Sequence, residues 1–246
     1  MWPYLKMFLG NFINKNEIPY CMTTPPEIRS IYEIPGSDGR TMLDAWEQRV
    51  PFEGQIAPYI FDPDFKDELF RLVVGLIDGE DVLSVGCGNS FFERDLTRKG
   101  YDVIGADVSE LAIRLAREKG VDARVIDAKR ELPFPPNSFD FIFFKGCIEH
   151  LLDEENSIDY LFQNCRKVLR AGGGVCVGYD ALRGEGLFMQ HPVHSELYLV
   201  SSEFVENGFG DNGFVDVQSR VLVYNNKFKE SAKRVREKTH TWGYVR

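Results

Sequence analysis

Short apolar runs alternate with helix-spaced apolar positions through most of this 246-residue chain from about residue 62 onward. Asp62-Pro63 reads as a helix start, with Asp as cap and Pro in the first turn, and Phe65, Leu69, Leu72, Val73 and Leu76 follow at helical spacing. Val82 to Val85 is an apolar strand, Phe91 to Lys99 a helix stopped by Gly100, and Asp102 to Ala106 a second strand. Ser109 caps a helix with Leu111, Ala112, Leu115 and Ala116 on one face, Gly120 ends it, and Ala123 to Ile126 is a third strand. Phe139-Asp140-Phe141-Ile142-Phe143-Phe144 is apolar on both faces after its Asp, as in the middle of a parallel sheet. A helix from about Ser157 to Leu169 is broken by Ala171-Gly172-Gly173-Gly174, and Val175 to Tyr179 is the fifth strand. After a helix from about Ser202 to Asn207 come Phe214 to Gln218 and Arg220 to Tyr224, which the tight Gln218-Ser219-Arg220 link makes antiparallel neighbours. Repeated β-α units of this kind predict an α/β fold with a doubly wound, mostly parallel sheet.

The remaining segments set the boundaries. Residues 1–61 are rich in Pro, aromatic and polar residues and read as an N-terminal cap or lid with little regular core. Its aromatic residues either pack on the main domain or line a substrate pocket, and the two roles are compatible. Residues 62–225 form the main domain, within which 180–200 is an irregular insertion. Residues 226–246 read as a basic C-terminal tail, because Lys227, Lys229, Lys233, Arg234, Arg236, Lys238 and Arg246 outnumber Glu230 and Glu237. It is either a solvated terminus or a contact to an anionic substrate or partner.

Composition narrows the function classes. The chain is 43% hydrophobic and 27% charged, as ordinary globular proteins are, and its formal net charge of -9 argues against a nucleic-acid partner. Five widely spaced cysteines with no CxxC pair read as reduced packing residues of a cytoplasmic protein, and no metal site is expected. No secretory leader or membrane-spanning run is evident, so no membrane partner is expected.

The chemistry-bearing stretch is Val82-Leu83-Ser84-Val85-Gly86-Cys87-Gly88-Asn89-Ser90, followed by Val103-Ile104-Gly105-Ala106-Asp107. Glycines after a strand let the backbone approach a ligand, and a carboxylate closing the next strand can accept from ribose hydroxyls. An adenosine-containing cofactor follows, either a dinucleotide or S-adenosylmethionine. The dinucleotide fingerprint needs a third glycine where this chain has Phe91.

The ordered set of these two segments with Asp127-Ala128, Leu132-Pro133-Phe134-Pro135-Pro136-Asn137-Ser138-Phe139-Asp140, Cys147-Ile148-Glu149-His150-Leu151 and Val168-Leu169-Arg170-Ala171-Gly172-Gly173 resembles the class I S-adenosylmethionine-dependent methyltransferases. The likeness is to the ubiquinone and menaquinone biosynthesis group, over about residues 65 to 225. It implies a Rossmann-like, seven-stranded sheet whose last strand is inserted antiparallel. It also implies that Gly86 and Gly88 lie under the methionine part of the cofactor and that Asp107 takes the ribose hydroxyls. Asp127 would accept from the adenine amino group, Ala128 would give a backbone contact, and Lys145 and Gly146 would lie beside the sulfonium and the methionine amino group. Two positions depart from the family: Ser84 stands where an acidic residue is usual, and Ser90 where a glycine or small residue is usual.

Methyl transfer is an in-line displacement at an already activated carbon, so alignment and exclusion of water matter most. A base helps where the acceptor arrives protonated. His150, after the fourth strand, is the candidate base, with a capping or packing role as its alternative. His191, His194 and Tyr198 in the insertion are candidate substrate contacts, with loop packing as their alternative and, for the His-x-x-His pair, a metal site that lacks a third ligand. The expected function is transfer of a methyl group to an oxygen or nitrogen of a small organic molecule. A cofactor-binding partner subunit without activity, made thinkable by Ser84, and an NAD-dependent oxidoreductase are the alternatives.

Overall fold

The computed structural model describes residues 31–54, 57–152, 157–182, 186, 188–190, 198–226 and 235–246. Its main sheet has seven strands, β1 (Asp81–Val85), β2 (Asp102–Asp107), β3 (Asp122–Val125), β4 (Phe139–Lys145), β5 (Leu169–Tyr179), β8 (Phe214–Asn225) and β9 (Val235–Val245). They lie side by side in the order β3-β2-β1-β4-β5-β9-β8. Strands β1 to β5 run parallel, while β9 is antiparallel to both β5 and β8. The Rossmann-like sheet with one antiparallel insertion is therefore present. Strands β6 (Phe188–Gln190) and β7 (Tyr198–Val200) pair as a separate ribbon within the segment expected to be irregular.

The two-residue period of the strands divides the core between the two faces of the sheet. Leu83, Val85, Ile142, Phe144, Val175 and Val177 point to the face covered by α6 (Ile158–Val168) and α7 (Ser202–Asp211), where Phe162 and Phe209 meet at 4.3 Å between ring centroids. Val82, Phe141, Phe143 and Cys176 point the other way, toward Phe65, Leu69 and Val73 of α2 (Pro63–Leu76) and Phe92 and Leu96 of α3 (Phe91–Lys99). Caps read from sequence are in place. Asp62 accepts from Asp64 and Phe65 backbone N–H groups, Ser157 caps α6, and Ser109 caps α4 (Glu110–Glu118) by accepting from Ala112 N–H.

Three expectations are corrected. The segments Phe214 to Gln218 and Arg220 to Tyr224 are one strand, β8, and no turn falls at Ser219. Its register shifts between Val215 and Gln218, around Asp216 at φ 53°, which is a bulge and not a hairpin. The partner of β8 is β9, so residues 235–245 are an inserted strand of the sheet and not part of a basic tail. Finally, the N-terminal segment contains a regular helix, α1 (Met42–Glu47), started by a capping box in which Thr41 and Asp44 bind each other's backbone N–H. Met42, Leu43 and Ala45 of α1 are buried. Among the described residues, no helix is long and apolar enough to cross a membrane.

Candidate active site

Parallel strands bring their carboxyl ends to one edge, and the neighbours β3-β2-β1-β4 bring the expected cofactor residues there together. Gly86 follows β1, Asp107 ends β2, Asp127 lies just past β3, and Lys145 ends β4. The glycines differ in purpose. Gly86 has φ +73°, and a Cβ there would sit 2.7 Å from the Cβ and Sγ atoms of Cys147. Gly88 has φ +51° and nothing within 4 Å of where its Cβ would be, so the loop is open on that side. Ser90 adopts φ 55°, the left-handed conformation that glycine takes more readily, at the position where the family resemblance leads one to expect glycine.

Asp107 fastens this loop. Its Oδ2 accepts from Gly88 N–H at 2.9 Å and its Oδ1 from Ser109 N–H at 3.0 Å. A carboxylate offers about four acceptor sites, so one lone pair on each oxygen is left for an incoming hydroxyl. Burial raises the Asp107 pKa above the usual carboxylate value, against the opposing pull of the two backbone donors and of Lys145. Beside it, Asp127 Oδ1 accepts from Lys129 N–H and Oδ2 pairs with Arg130 at 3.3 Å, while Ala128 is buried.

The missing acid at Ser84 has a substitute that sequence reasoning passed over. Ser84 points to the same face of the sheet as α3, and its hydroxyl donates to Glu93 Oε1 at 2.7 Å. Lys145 Nζ donates to Glu93 Oε2 at 2.9 Å and to the carbonyl of Cys87 at 2.6 Å. Both charged side chains are almost entirely removed from solvent. Lys145 thus braces the middle of the glycine loop, and Glu93 supplies the carboxylate that Ser84 lacks. The one signal in the sequence was the absence of that acid, because a buried lysine requires a counter-charge.

The N-terminal segment lies over the same loop. Asn89 Nδ2 donates to the Leu43 carbonyl at 3.1 Å and to Glu47 Oε2 at 2.8 Å, and Lys119 donates to the same Glu47 oxygen. Ser109 donates to Glu33, and Leu43 packs on Ala112 and Leu115 of α4. Residues 31–47 therefore cap the loop next to Asp107.

His150 lies in the short α5 (Ile148–Leu151), which follows β4, with its ring 6.1 Å from that of Tyr32. Tyr198 is 8% exposed and stacks on Phe188 at 5.0 Å, inside the larger core cluster, so its position is one of packing. His191 and His194 lie outside the described residues. Among the described residues, no group of three or more His, Cys, Asp or Glu side chains is arranged to hold a metal ion. The open face at Gly88 and the two spare lone pairs of Asp107 fit an adenosyl cofactor with its ribose over the end of β2.

Known proteins share this fold and parts of this sequence. Residues 83–177 match the family model described as a methyltransferase domain. The chain is 27% identical over 192 residues to a tabtoxin biosynthesis enzyme of Pseudomonas amygdali pv. tabaci, covering 77% of this chain and 76% of that protein. It is 32% identical over 168 residues to a ubiquinone biosynthesis O-methyltransferase of Sinorhizobium medicae, covering 61% of this chain and just under two thirds, 65%, of that one. An S-adenosylmethionine-dependent methyltransferase from Methanosarcina mazei has the same fold, with a TM-score of 0.57 at 17% identity over 71% of this chain and 96% of its own. The family match falls on the strands that carry the glycine loop, Asp107 and Lys145, so the chain carries a methyltransferase domain similar to those of the class I S-adenosylmethionine-dependent methyltransferases.

Proposed function

We propose that this methyltransferase acts on an oxygen or nitrogen of a small organic molecule in the cytoplasm. One observation carries the placement of the cofactor. Asp107 is pinned by Gly88 and Ser109 with one acceptor site on each oxygen still available. In the bound state, S-adenosylmethionine supplies a methyl group activated by positive sulfur. Asp107 would hold its ribose hydroxyls, Asp127 its adenine amino group, and Ala128 would contribute a backbone contact. Gly86 and Gly88 let the loop approach the methionine end.

Lys145 ends β4 and Gly146 follows it, beside the site assigned to the sulfonium. A bare lysine there would repel positive sulfur; the Glu93 carboxylate 2.9 Å away cancels its field. What remains for the chain is to align the acceptor and keep water out, which residues 31–47 serve by covering the loop. His150, on the rim after β4, takes the acceptor proton. His191 and His194 are assigned to the acceptor side. The cytoplasmic placement fits Cys87, Cys147, Cys165 and Cys176, all unpaired. The Sinorhizobium relative is named for an oxygen acceptor and the Pseudomonas relative names no methylated atom, so the acceptor comes from the site's own chemistry.

Turnover tests this reading. Full-length protein incubated with methyl-labelled S-adenosylmethionine and a panel of alcohols, phenols and amines is expected to label at least one acceptor. Cofactor binding without labelling of any would point instead to a partner subunit.

A further inference from the structure

Beyond the cofactor rim, three charged side chains meet at the next strand ends. Glu149 lies just after β4, Asp180 just after β5, and Lys238 enters from β9. The register places Thr239 opposite Tyr179, which sets Lys238 level with Asp180. Lys238 Nζ is 3.5 Å from Asp180 Oδ2, and it lies within 3.0 Å of where a Cβ on Gly146 would be. The cluster therefore adjoins the end of β4, next to the place assigned to the sulfonium.

The charges do not balance within the cluster. Glu149 is 9% exposed and Lys238 5% exposed, so neither is satisfied by bulk water. Glu149 Oε1 accepts from Asp180 N–H at 3.2 Å, whereas Glu149 Oε2 is buried with no hydrogen-bond partner among the described residues. Lys238 is already engaged: it pairs with Asp180 and sits 5.0 Å from the centre of the Tyr59 ring. Two carboxylates against one ammonium leave an excess negative charge and one open acceptor oxygen. A buried acceptor without a donor is costly; an N–H or O–H donor relieves that cost, and a donor carrying positive charge also offsets the excess negative charge. Aromatic faces favour the same ligand, and Tyr32, Tyr59 and Tyr224 surround the cluster.

We propose that Glu149, backed by Asp180 and Lys238, is an acceptor subsite for a protonated amine, so that the methyl acceptor is an amine-bearing small molecule. This rests on the methyltransferase reading and deepens it. The competing ligand, a carboxylate on Lys238, would add a third negative group to a cluster that already has one too many.

The cluster also fixes how binding responds to protons. Burial raises the Glu149 pKa above the usual carboxylate value, Lys238 opposes that rise, and Asp180 adds to it. Burial works against the charge of Lys238, and the negative groups Asp180 and Glu149 outweigh it, so the lysine stays charged. Tyr32, Tyr59 and Cys147 face the same space with pKa values raised by burial, so they are neutral hydroxyls and a neutral thiol. An arriving ammonium favours ionised Glu149 and displaces any proton it holds.

The test uses full-length protein. Binding of S-adenosylhomocysteine is measured first, which examines the cofactor site alone. With that site saturated, calorimetry compares benzylamine and phenethylamine with benzyl alcohol and 2-phenylethanol. The amines are expected to bind about tenfold or more tightly than the matched alcohols, the order of a charge-assisted hydrogen bond. Once the pH falls into the range of the raised Glu149 pKa, their binding should release protons. Glu149→Gln should abolish both the preference and the proton release while leaving S-adenosylhomocysteine affinity unchanged. Asp180→Asn, which frees Lys238 to neutralise Glu149, should reduce the preference too and serves as the second variant if Glu149→Gln does not fold. Equal affinity for amine and alcohol, no amine binding, or an unchanged preference in the variants would overturn the subsite while leaving the cofactor reading intact.

Discussion

Lys145 and Glu93, 52 residues apart in the chain, form an ion pair at 2.9 Å with side-chain exposures of 9% and 0%. Through it the end of β4 is tied to the first turn of α3, and the Cys87 carbonyl between Gly86 and Gly88 is held by the same lysine. Removing one partner of such a pair leaves a buried charge uncompensated. Glu93→Ala is expected to lower unfolding stability by about 3–5 kcal/mol in urea titration.

Ser84→Asp tests the same arrangement from the other side. The new carboxylate would stand at hydrogen-bond distance from Glu93, two like charges in a site closed to bulk solvent. The single change is expected to destabilise the protein, and the double change Ser84→Asp with Glu93→Gln to recover most of the loss. Denaturation midpoints of the three variants measure this directly.

Substitutions at Asp107 and His150 test the roles proposed for cofactor holding and acceptor chemistry separately. Asp107→Ala removes the acceptor assigned to the ribose and the anchor of the Gly88 and Ser109 N–H groups. Its expected effect is a loss of about tenfold to a hundredfold in S-adenosylhomocysteine affinity, from hydrogen bonds to a charged group. His150→Ala should change that affinity by less than about threefold, the size of a surface substitution. Calorimetry giving the reverse order would contradict both assignments.

Acid should weaken cofactor binding through Asp107. Burial holds its pKa above the ordinary carboxylate value in the free protein, whereas hydroxyl donors from the ribose favour the ionised form. Binding therefore releases a proton once the pH falls into that range. Affinity should be level at pH values above the raised pKa and fall as the pH drops through it, approaching tenfold per pH unit below it. Asp107→Asn should flatten the profile.

Much of this is legible in the sequence. The parallel strands β1, β2 and β4 are short apolar runs with glycine or Asp at their carboxyl ends, so sequence position alone put Gly86, Asp107 and Lys145 on one edge. Strand β9 was not legible, because Arg236, Lys238, His240 and Thr241 look like the composition of a solvated terminus. Lys238 and Thr241 are tolerated in the sheet through contacts distant in sequence: Lys238 meets Asp180, and Thr241 Oγ1 lies 2.8 Å from both Tyr179 and Ser219 hydroxyls. Without β9 as partner, β8 looked like two strands and a turn. Glu93 was hidden for the same reason, since an acid in a first helical turn is ordinarily a surface residue.

His240 in β9 ties stability to pH. It is fully buried, and burial together with the nearby Lys238 charge lowers its pKa to about 3. The unfolded chain takes up a proton near pH 6.5 while the folded one does not. Stability from this group is thus complete above about pH 6.5 and is lost toward pH 3 at about 1.4 kcal/mol per pH unit. His240→Leu should remove that part of the slope in denaturation experiments run from pH 7 to 4.

Titration of the full-length protein with S-adenosylhomocysteine and, separately, with NAD addresses the cofactor assignment most directly. Saturable 1:1 binding of the adenosyl compound, weakened in Asp107→Ala, with no comparable affinity for NAD, is the result expected from a glycine loop open at Gly88 and closed by Asp107. Tight NAD binding without binding of the adenosyl compound would contradict it.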